Sequence, residues 1–146
     1  MQFESDARNP GVYVDLRQRL DDADVTALVN AGADSVPAGA RLREAVRSDG
    51  AQLLGWLDGE RLVGFVVVER DGGMLKLRRI GVVESERGKG VGRSMLDALA
   101  ADGSDAIVAE VEENAVGFFR SCGFAIESAG GTPYKRRYVC TSSAPQ

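Results

Sequence analysis

A chain of 146 residues is the length of one domain, which is enough for one hydrophobic core and too short for two nucleotide-binding halves. The net charge of −4 provides no overall basic field for nucleic acid, and the absence of histidine excludes histidine bases, Ser-His triads and histidine metal sites. Cys122 and Cys140 match neither a metal-site spacing nor a secreted disulfide framework, and no apolar run is long enough to span a bilayer.

These observations favour a cytoplasmic protein in a reducing compartment. The N-terminus lacks the apolar stretch of a signal peptide. We expect one domain over residues 1–146, without a metal, a membrane or a nucleic-acid partner, and with loosely held ends at residues 1–10 and 141–146.

The N-terminal third predicts one strand and two helices. Residues 12–16 alternate between apolar and polar side chains, which is typical of a half-buried strand. Asp22 or Asp24 can then cap a helix that ends near Gly32, and residues 37–46 predict a second helix. This third suggests no catalytic chemistry.

Two turn signals predict an antiparallel meander of three strands. Residues 51–57 and 62–70 are apolar and rich in strand formers, and the Asp-Gly pair at 58–59 joins them as a hairpin. A second turn at residues 71–73 leads into the third strand, which begins at Met74.

The apolar residues of the third strand alternate with polar ones, but the alternation shifts by one residue part-way along the strand. Leu75 and Leu77 occupy odd positions, whereas Ile80 and Val82 occupy even ones. An extra residue in a strand produces such a change, so we predict a β-bulge that frees backbone groups from the ladder. The alternative is a strand buried on both faces that tolerates two arginines.

A glycine-rich turn follows this strand. Gly88, Gly90 and Gly92 stand at every second position, and an amphipathic helix begins at Val91. The N–H groups at a helix N-terminus favour an anion, and three basic side chains surround the turn, namely Arg87, Lys89 and Arg93. This pattern predicts a pyrophosphate-binding turn.

The glycine spacing separates this turn from two other nucleotide-binding motifs. A P-loop needs a glycine five residues before its Gly-Lys-Ser/Thr, but none stands five residues before Gly88, and Gly90 occupies the hydroxyl position. A dinucleotide-binding turn needs G-x-G-x-x-G, whereas the spacing here is G-x-G-x-G. Glu110 stands roughly where that motif places a ribose-binding acid, so a nucleotide-binding fragment stays an alternative.

The C-terminal third predicts a strand, a short helix and a hairpin. Residues 105–112 form a strand that should lie parallel to the strand before the glycine turn, since the helix between them makes a βαβ unit. Asn114 can cap the next helix, and Gly123 can end it in a left-handed conformation. Residues 124–128 and 134–141 then pair as a hairpin.

Two motifs in this order resemble the GNAT acetyltransferase superfamily. Arg87, Gly90 and Gly92 match its Arg/Gln-x-x-Gly-x-Gly/Ala motif, and AVGFFRSCGF at residues 115–124 matches its aromatic pair followed by Gly-Phe. The resemblance covers residues 52–140. It implies an α/β fold with a mixed sheet of six to seven strands, consisting of the meander, one splayed parallel pair and a C-terminal hairpin, flanked by about four helices.

The resemblance also implies an N-acetyltransferase that moves acetyl from its co-substrate acetyl-CoA to a primary amine by direct attack in a ternary complex. A backbone amide, with Val82 as the candidate, would stabilise the oxyanion. The residues expected to bind the coenzyme are Ile80, Gly81, Val82, Arg87, Gly88, Lys89, Gly90, Val91, Gly92, Arg93, Asn114 and Phe119.

The residue at the family's usual general-base position differs from the family pattern. Lys76 stands where many family members carry a glutamate on the third strand of the meander. Glu110, on the strand across the splay, is the candidate base, either directly or through water. The alternative interpretation of Glu110 is a solvated charge on an exposed face.

The general acid differs as well. The family's usual acid is a tyrosine at the second position of the aromatic pair, and Phe119 stands there. Tyr134 is the candidate acid, with Tyr138 and Cys122 as alternatives, or the thiolate leaves without assistance. Phe118 and Phe119 can otherwise be core residues or apolar walls beside the pantetheine, and for Phe118, the first of the pair, we expect a core position.

The resemblance leaves the acceptor and one alternative function open. A small-molecule or peptide amine fits, and the acidic residues Glu110, Glu112 and Glu113 favour a cationic one. Edge-strand pairing into a homodimer is a further expectation. The alternative function is an acyl-CoA-binding sensor or regulatory module with weak or absent catalysis.

Overall fold

The computed structural model describes residues 11–33, 35–102 and 106–142, and these form a seven-stranded sheet with four α-helices. The strands are β1 (Val12–Asp15), β2 (Gln52–Asp58), β3 (Arg61–Asp71), β4 (Met74–Val82), β5 (Ala106–Glu112), β6 (Ala125–Thr132) and β7 (Lys135–Thr141). The helices are α1 (Ala23–Gly32), α2 (Val36–Asp49), α3 (Val91–Asp102) and α4 (Glu113–Ser121). Short 3-10 turns lie at Arg17–Arg19 and Glu84–Glu86.

The strand order confirms the predicted α/β sheet. It runs β1-β2-β3-β4-β5-β7-β6, and β2, β3 and β4 form the antiparallel meander. The sheet has one parallel pair, in which β4 and β5 are in register from Met74 opposite Ala106 to Leu77 opposite Ala109. β6 and β7 form the C-terminal hairpin.

The helices cover the two faces of the sheet unequally. α3 and α4 pack on one face, where Met95, Leu96 and Phe119 meet buried side chains from β3, β4 and β5. On the other face, α1 and α2 pack on β2 and β3 through a cluster that includes Val29 and Phe65. Polar side chains of β5 and β7 are therefore left accessible on the α1/α2 face.

Several predicted ends differ from the observed ones. Ser35 caps α2, since its hydroxyl oxygen accepts the N–H of Ala38 at 3.1 Å, so the helix begins earlier than predicted. Asn114 is not the cap of α4, because Glu112 holds that position and Asn114 lies in the first turn. Gly123 follows α4 with φ 90°, as predicted. No helix within the described ranges has the length and apolar character needed to cross a membrane.

The C-terminal end stays in the sheet further than the sequence predicts. Thr141 lies opposite Val108 in β7, and the N–H of Ser142 donates to the carbonyl of Ile107 at 2.9 Å. The rest of the segments expected to be loose, residues 1–10 and 143–146, lies outside the described residues, as does the expected strand start at 105.

β4 contains the predicted bulge. Val67 lies opposite Arg79 but Val68 lies opposite Leu77, so Arg78 is the extra residue. The bulge keeps the apolar side chains on one face, because Ile80 packs with Leu77 in the cluster under α3 and α4. The alternative of a strand buried on both faces is wrong, since Arg78 is exposed.

Two glycines allow α1 to lie directly on β4. A Cβ added to Gly32, the last residue of α1, would lie 2.3 Å from Cε1 of Phe65 and 3.1 Å from Cα of Gly81. A Cβ added to Gly81 would lie 2.8 Å from Cα of Gly32. Arg79 joins the same contact, because its guanidinium donates to the carbonyl of Gly32 at 2.8 Å.

We expect Gly32→Ala to lower the free energy of unfolding by about 1–3 kcal/mol, because the added methyl overpacks the contact with Phe65. Urea unfolding of the purified variant measures this loss. Gly117→Ala is the matched control, since Gly117 lies exposed in α4 with no atom within 4 Å of an added Cβ. An equal loss of stability in both variants would contradict the close contact.

Candidate active site

β4 and β5 separate where the site begins. Their parallel pairing ends at Leu77 and Ala109, while β4 continues beside β3 to Val82 and β5 continues beside β7 to Glu112. A gap therefore opens in the middle of the sheet, as the splayed pair predicted from the sequence requires. The bulge at Arg78 lies at the first residue beyond the pairing.

The hydrogen-bond pattern of β3 and β4 directs two sets of backbone groups into the gap. The N–H of Val83 donates to the carbonyl of Val63 at 2.9 Å, and hydrogen-bonded pairs alternate along an antiparallel ladder. Ile80 and Val82 therefore belong to the pairs whose N–H and C=O groups point away from β3. The Val82 carbonyl accepts from Nε of Arg87 at 2.9 Å, and the two N–H groups face the gap together with the Ile80 carbonyl.

The glycine turn presents backbone N–H groups at the start of α3. Gly88 and Gly90 have φ of 79° and 84°, a region that side chains disfavour. The Gly90 carbonyl accepts the N–H of Ser94 at 3.0 Å, so a residue without a side chain stands in the capping position. The N–H groups of Val91, Gly92 and Arg93 then have no acceptor within the helix. An anion can bind them directly.

The turn borders a cavity of about 590 Å³, which we call the loop cleft. It extends from the glycine turn along the end of β4 to α4. Of the residues predicted to bind the coenzyme, it is lined by Ile80, Gly81, Val82, Arg87, Gly88, Gly90, Val91, Gly92, Arg93 and Phe119. Further lining residues are Gly32, Arg79, Glu86, Ala115, Phe118, Ser121 and Cys122.

The basic side chains of the turn contact protein groups. Arg93 donates to the carbonyl of Ser121 at the end of α4, and Nζ of Lys89 lies 3.7 Å from a carboxylate oxygen of Glu86. Arg87 donates to the Val82 carbonyl, as described above. The two arginine contacts anchor the turn to β4 and α4.

A second cavity, of about 510 Å³, lies at the gap and is called the gap cleft. It shares Arg79, Ile80, Ala115 and Phe119 with the loop cleft, so the two meet beside the amides of β4. Its other lining residues are Leu77, Arg78, Ala109, Glu110, Val111, Glu112, Asn114 and Arg137. The structure thus places Asn114 in the gap cleft and Phe119 between the two clefts.

The two phenylalanines of the aromatic pair have different positions. Phe119 is 3% exposed, and its ring centroid lies 5.2 Å from that of Phe124, in the contact typical of an edge-to-face pair. The expected core position of Phe118 is wrong, because that side chain is 36% exposed in the loop cleft. A Cβ added to Gly92 would lie 3.0 Å from the Phe118 ring, so this glycine makes room for it.

Glu110, the candidate base, lies in the gap cleft beside an arginine. Its Oε1 accepts from Nη2 of Arg137 at 2.8 Å, and its side chain is 57% exposed. The alternation of β5 puts Glu110 on the α1/α2 face, and Lys76, which precedes the gap on β4, is exposed. Arg137 is not among the residues predicted for the site, and the register of Glu110 opposite Val139 brings its guanidinium next to the carboxylate.

The candidate acids lie in different places. Tyr134 is 99% exposed in the turn between β6 and β7 and lines neither cleft, whereas Cys122 lines the loop cleft. Tyr138 is half-buried on β7, opposite Val111. The structure therefore brings Cys122, and not Tyr134, next to the predicted coenzyme residues.

The sequence of the chain matches one protein-family model. The acetyltransferase (GNAT) domain matches residues 49–126, which is more than half of the chain. The chain belongs to the GNAT acetyltransferase family. This confirms the resemblance noted in the sequence and the prediction of an acyltransferase at the level of the family. No curated protein sequence matches the chain.

Solved structures of GNAT proteins have the same fold. A GNAT family protein from Desulfovibrio desulfuricans has a TM-score of 0.74 at 16% identity, with 90% of this chain and 97% of that one covered. A GNAT acetyltransferase from Elizabethkingia anophelis, solved with acetyl-CoA bound, has a TM-score of 0.69 at 12% identity, with 93% and 99% covered. The ribosomal-protein-S18-alanine N-acetyltransferase from Escherichia coli has a TM-score of 0.63 at 15% identity, with 93% and 97% covered.

We expect iodoacetamide to alkylate Cys122 well before Cys140, and acetyl-CoA to protect Cys122. Cys122 is partly exposed in the loop cleft, whereas Cys140 is buried and burial raises the pKa of its thiol, which lowers its thiolate fraction. Peptide mass mapping over time measures both rates. Cys140 is the internal control, and an unchanged Cys122 rate with acetyl-CoA bound would show that the ligand lies elsewhere.

Proposed function

We propose that this GNAT protein transfers acetyl from acetyl-CoA to a primary amine, in a ternary complex built on one domain that spans residues 1–146. The observation that carries the proposal is the meeting of the loop cleft and the gap cleft beside the inward-facing amides of Ile80 and Val82. A coenzyme in one cleft and an amine in the other would have their reacting groups close together, which removes much of the entropic cost of reaction.

The coenzyme fits the loop cleft by its chemistry. A pyrophosphate is an anion with many acceptor oxygens, and the first turn of α3 offers the N–H groups of Val91, Gly92 and Arg93. The pantetheine arm carries amide groups, which can bind the gap-facing N–H groups of Ile80 and Val82 as an added strand would. The E. anophelis protein, which has the same fold, was solved with acetyl-CoA bound, and this supports acetyl-CoA as the co-substrate.

In the proposed reaction, the amine nitrogen forms a bond to the thioester carbonyl carbon, and the carbon–sulfur bond then breaks. Negative charge develops on the carbonyl oxygen, and the N–H of Val82 is the proposed donor to it, with that of Ile80 next to it in the gap. A donor of this kind typically contributes about 2.7–4 kcal/mol to the stability of the transition state.

Glu110 is the proposed base. An amine with a pKa of ~10.4 costs roughly 4.6 kcal/mol to deprotonate at pH 7, so a proton acceptor beside the gap is needed. The Glu110 carboxylate lies in the gap cleft, and the 2.8 Å contact from Arg137 leaves its second oxygen to accept the proton directly or through water. Glu110 lies on β5, whereas the glutamate of many family members belongs on β4, at the position of Lys76.

No acid is assigned in the proposed mechanism. A thiol resembling cysteine has a pKa of ~8.5, so the thiolate is a tolerable leaving group and can take its proton from water. Phe119, at the tyrosine position of the family, is buried and has no proton to give. Tyr134, in the exposed turn between β6 and β7, lines neither cleft.

A panel of primary amines with acetyl-CoA, followed by detection of released thiol, tests the proposed function. The expected result is amine-dependent thiol release for at least one class of small-molecule or peptide amine. Thermal stabilisation by acetyl-CoA without release for any amine would overturn the proposal and favour the sensor function.

We expect Gly90→Ala to raise the KM for acetyl-CoA about 5–30-fold, the equivalent of roughly 1–2 kcal/mol. Alanine disfavours the positive φ of Gly90, which directs the N–H groups of the turn. Steady-state kinetics with varied acetyl-CoA measures the change. Gly59→Ala is the matched control, since Gly59 also has a positive φ, of 66°, but lies in the β2–β3 hairpin. A KM increase in the control equal to that in Gly90→Ala would refute the role of the turn.

We expect Glu110→Gln to lower kcat/KM about 10²–10⁴-fold at pH 7, with a smaller loss at higher pH, where more of the amine is neutral without a base. A pH series of thiol release measures both effects. Glu127→Gln is the control, because Glu127 is exposed on the same face of the sheet, on β6, and does not line the gap cleft. A loss that does not change with pH would argue against the base role.

A further inference from the structure

The gap cleft combines opposite charges from three strands. β5 contributes two carboxylates, and β4 and β7 contribute three guanidinium groups, so the lining is not acidic overall, contrary to what Glu110, Glu112 and Glu113 suggest in the sequence. The charged lining residues are Arg78, Arg79, Glu110, Glu112 and Arg137.

Each carboxylate of the gap cleft lies next to a cation of β7. Glu110 accepts from Arg137 at 2.8 Å, and a carboxylate oxygen of Glu112 lies 3.6 Å from Nζ of Lys135. On the opposite wall, Nη1 of Arg78 lies 3.5 Å from a carboxylate oxygen of Glu69. A lone cationic amine that binds Glu110 must therefore compete with the Arg137 guanidinium and approach a positive group.

A ligand can easily replace the ion pair between Arg137 and Glu110. Both side chains are more than a third exposed, and solvent screens an exposed ion pair so that it contributes little to stability. A ligand that carries both an ammonium and a carboxylate can replace this one pair with two, one to each partner. Guanidinium groups bind carboxylates through two parallel hydrogen bonds, which would fix the ligand's orientation.

We propose that the acceptor is a free amino acid or a similar small amine with a carboxylate close to its amine. Its carboxylate binds Arg137 and its amine lies at Glu110, beside the gap-facing amides of β4. The inference rests on the proposed function, because it takes the gap cleft as the acceptor site. A peptide N-terminus carries a neutral amide at the corresponding position and lacks this contact.

Matched pairs of acceptors test the inference. Each amino acid of a panel is compared with its carboxamide, which differs at the carboxylate and mimics a peptide N-terminus, and kcat/KM is measured by thiol release. We expect the wild-type protein to prefer the acids by about tenfold or more, and Arg137→Gln to bring the ratio of acid to carboxamide down at least tenfold. The acid and the carboxamide differ in the basicity of their amines, but this difference affects the ratio equally in every variant. It therefore does not contribute to the change in the ratio between variants.

Two further variants separate recognition from a structural role. Arg137→Lys keeps the charge without the paired geometry, so it should retain part of the preference. Arg136→Gln is the matched control, since Arg136 is the exposed neighbour on β7, points to the other side of the strand and does not line the gap cleft, so its ratio should equal that of wild type. Melting temperatures show whether each variant is folded.

Two results would overturn the inference: equal or better turnover of carboxamides by the wild-type protein, or a preference for acids that survives in Arg137→Gln. If no amine of any class releases thiol, the proposed function fails. The acceptor pairs are then compared by calorimetric titration into the complex with CoA, where tighter binding of the acids through Arg137 supports the inference and equal binding of acids and carboxamides overturns it.

Discussion

The bulge at Arg78 is the constraint on which the site depends. Without the extra residue, the alternation of β4 would put Ile80 and Val82 on the α1 side, and their N–H groups would bind β3 instead of facing the gap. With it, the apolar side chains stay under α3 and α4 while Arg79 reaches the end of α1. One inserted residue thus sets both the packing of the strand and the direction of its backbone donors.

The features that local sequence determines were predictable. The apolar residues of β4 change from odd to even positions between Leu77 and Ile80. Because side chains alternate strictly along a strand, this change predicts the bulge. The glycines at 88 and 90 predict the turn because few other residues adopt the positive φ that the turn requires. The βαβ order fixes a parallel β4–β5 pair, since the intervening helix allows no tight hairpin. Each of these inferences needs only a short stretch of the chain.

The features that depend on contacts between distant segments were not predictable. Phe118 and Phe119 are adjacent and identical, and only the packing of α4 against α3 and β7 decides which of them is buried. Glu110 and Arg137 are 27 residues apart, so their ion pair follows from the register of β5 and β7 and from no local pattern. The cap at Glu112 shows the same limit, because Asn114 is the better capping residue by type but lies inside the helix.

The contact between Gly32 and Gly81 links the N-terminal helices to the loop cleft, which both glycines line. The C-terminal carbonyls of α1 accept from Arg79, and also from Arg87 at 3.5 Å, so residues on both sides of the gap-facing amides are tethered to one helix end. A shift of this helix end would therefore move the backbone donors of β4 and the start of the glycine turn together.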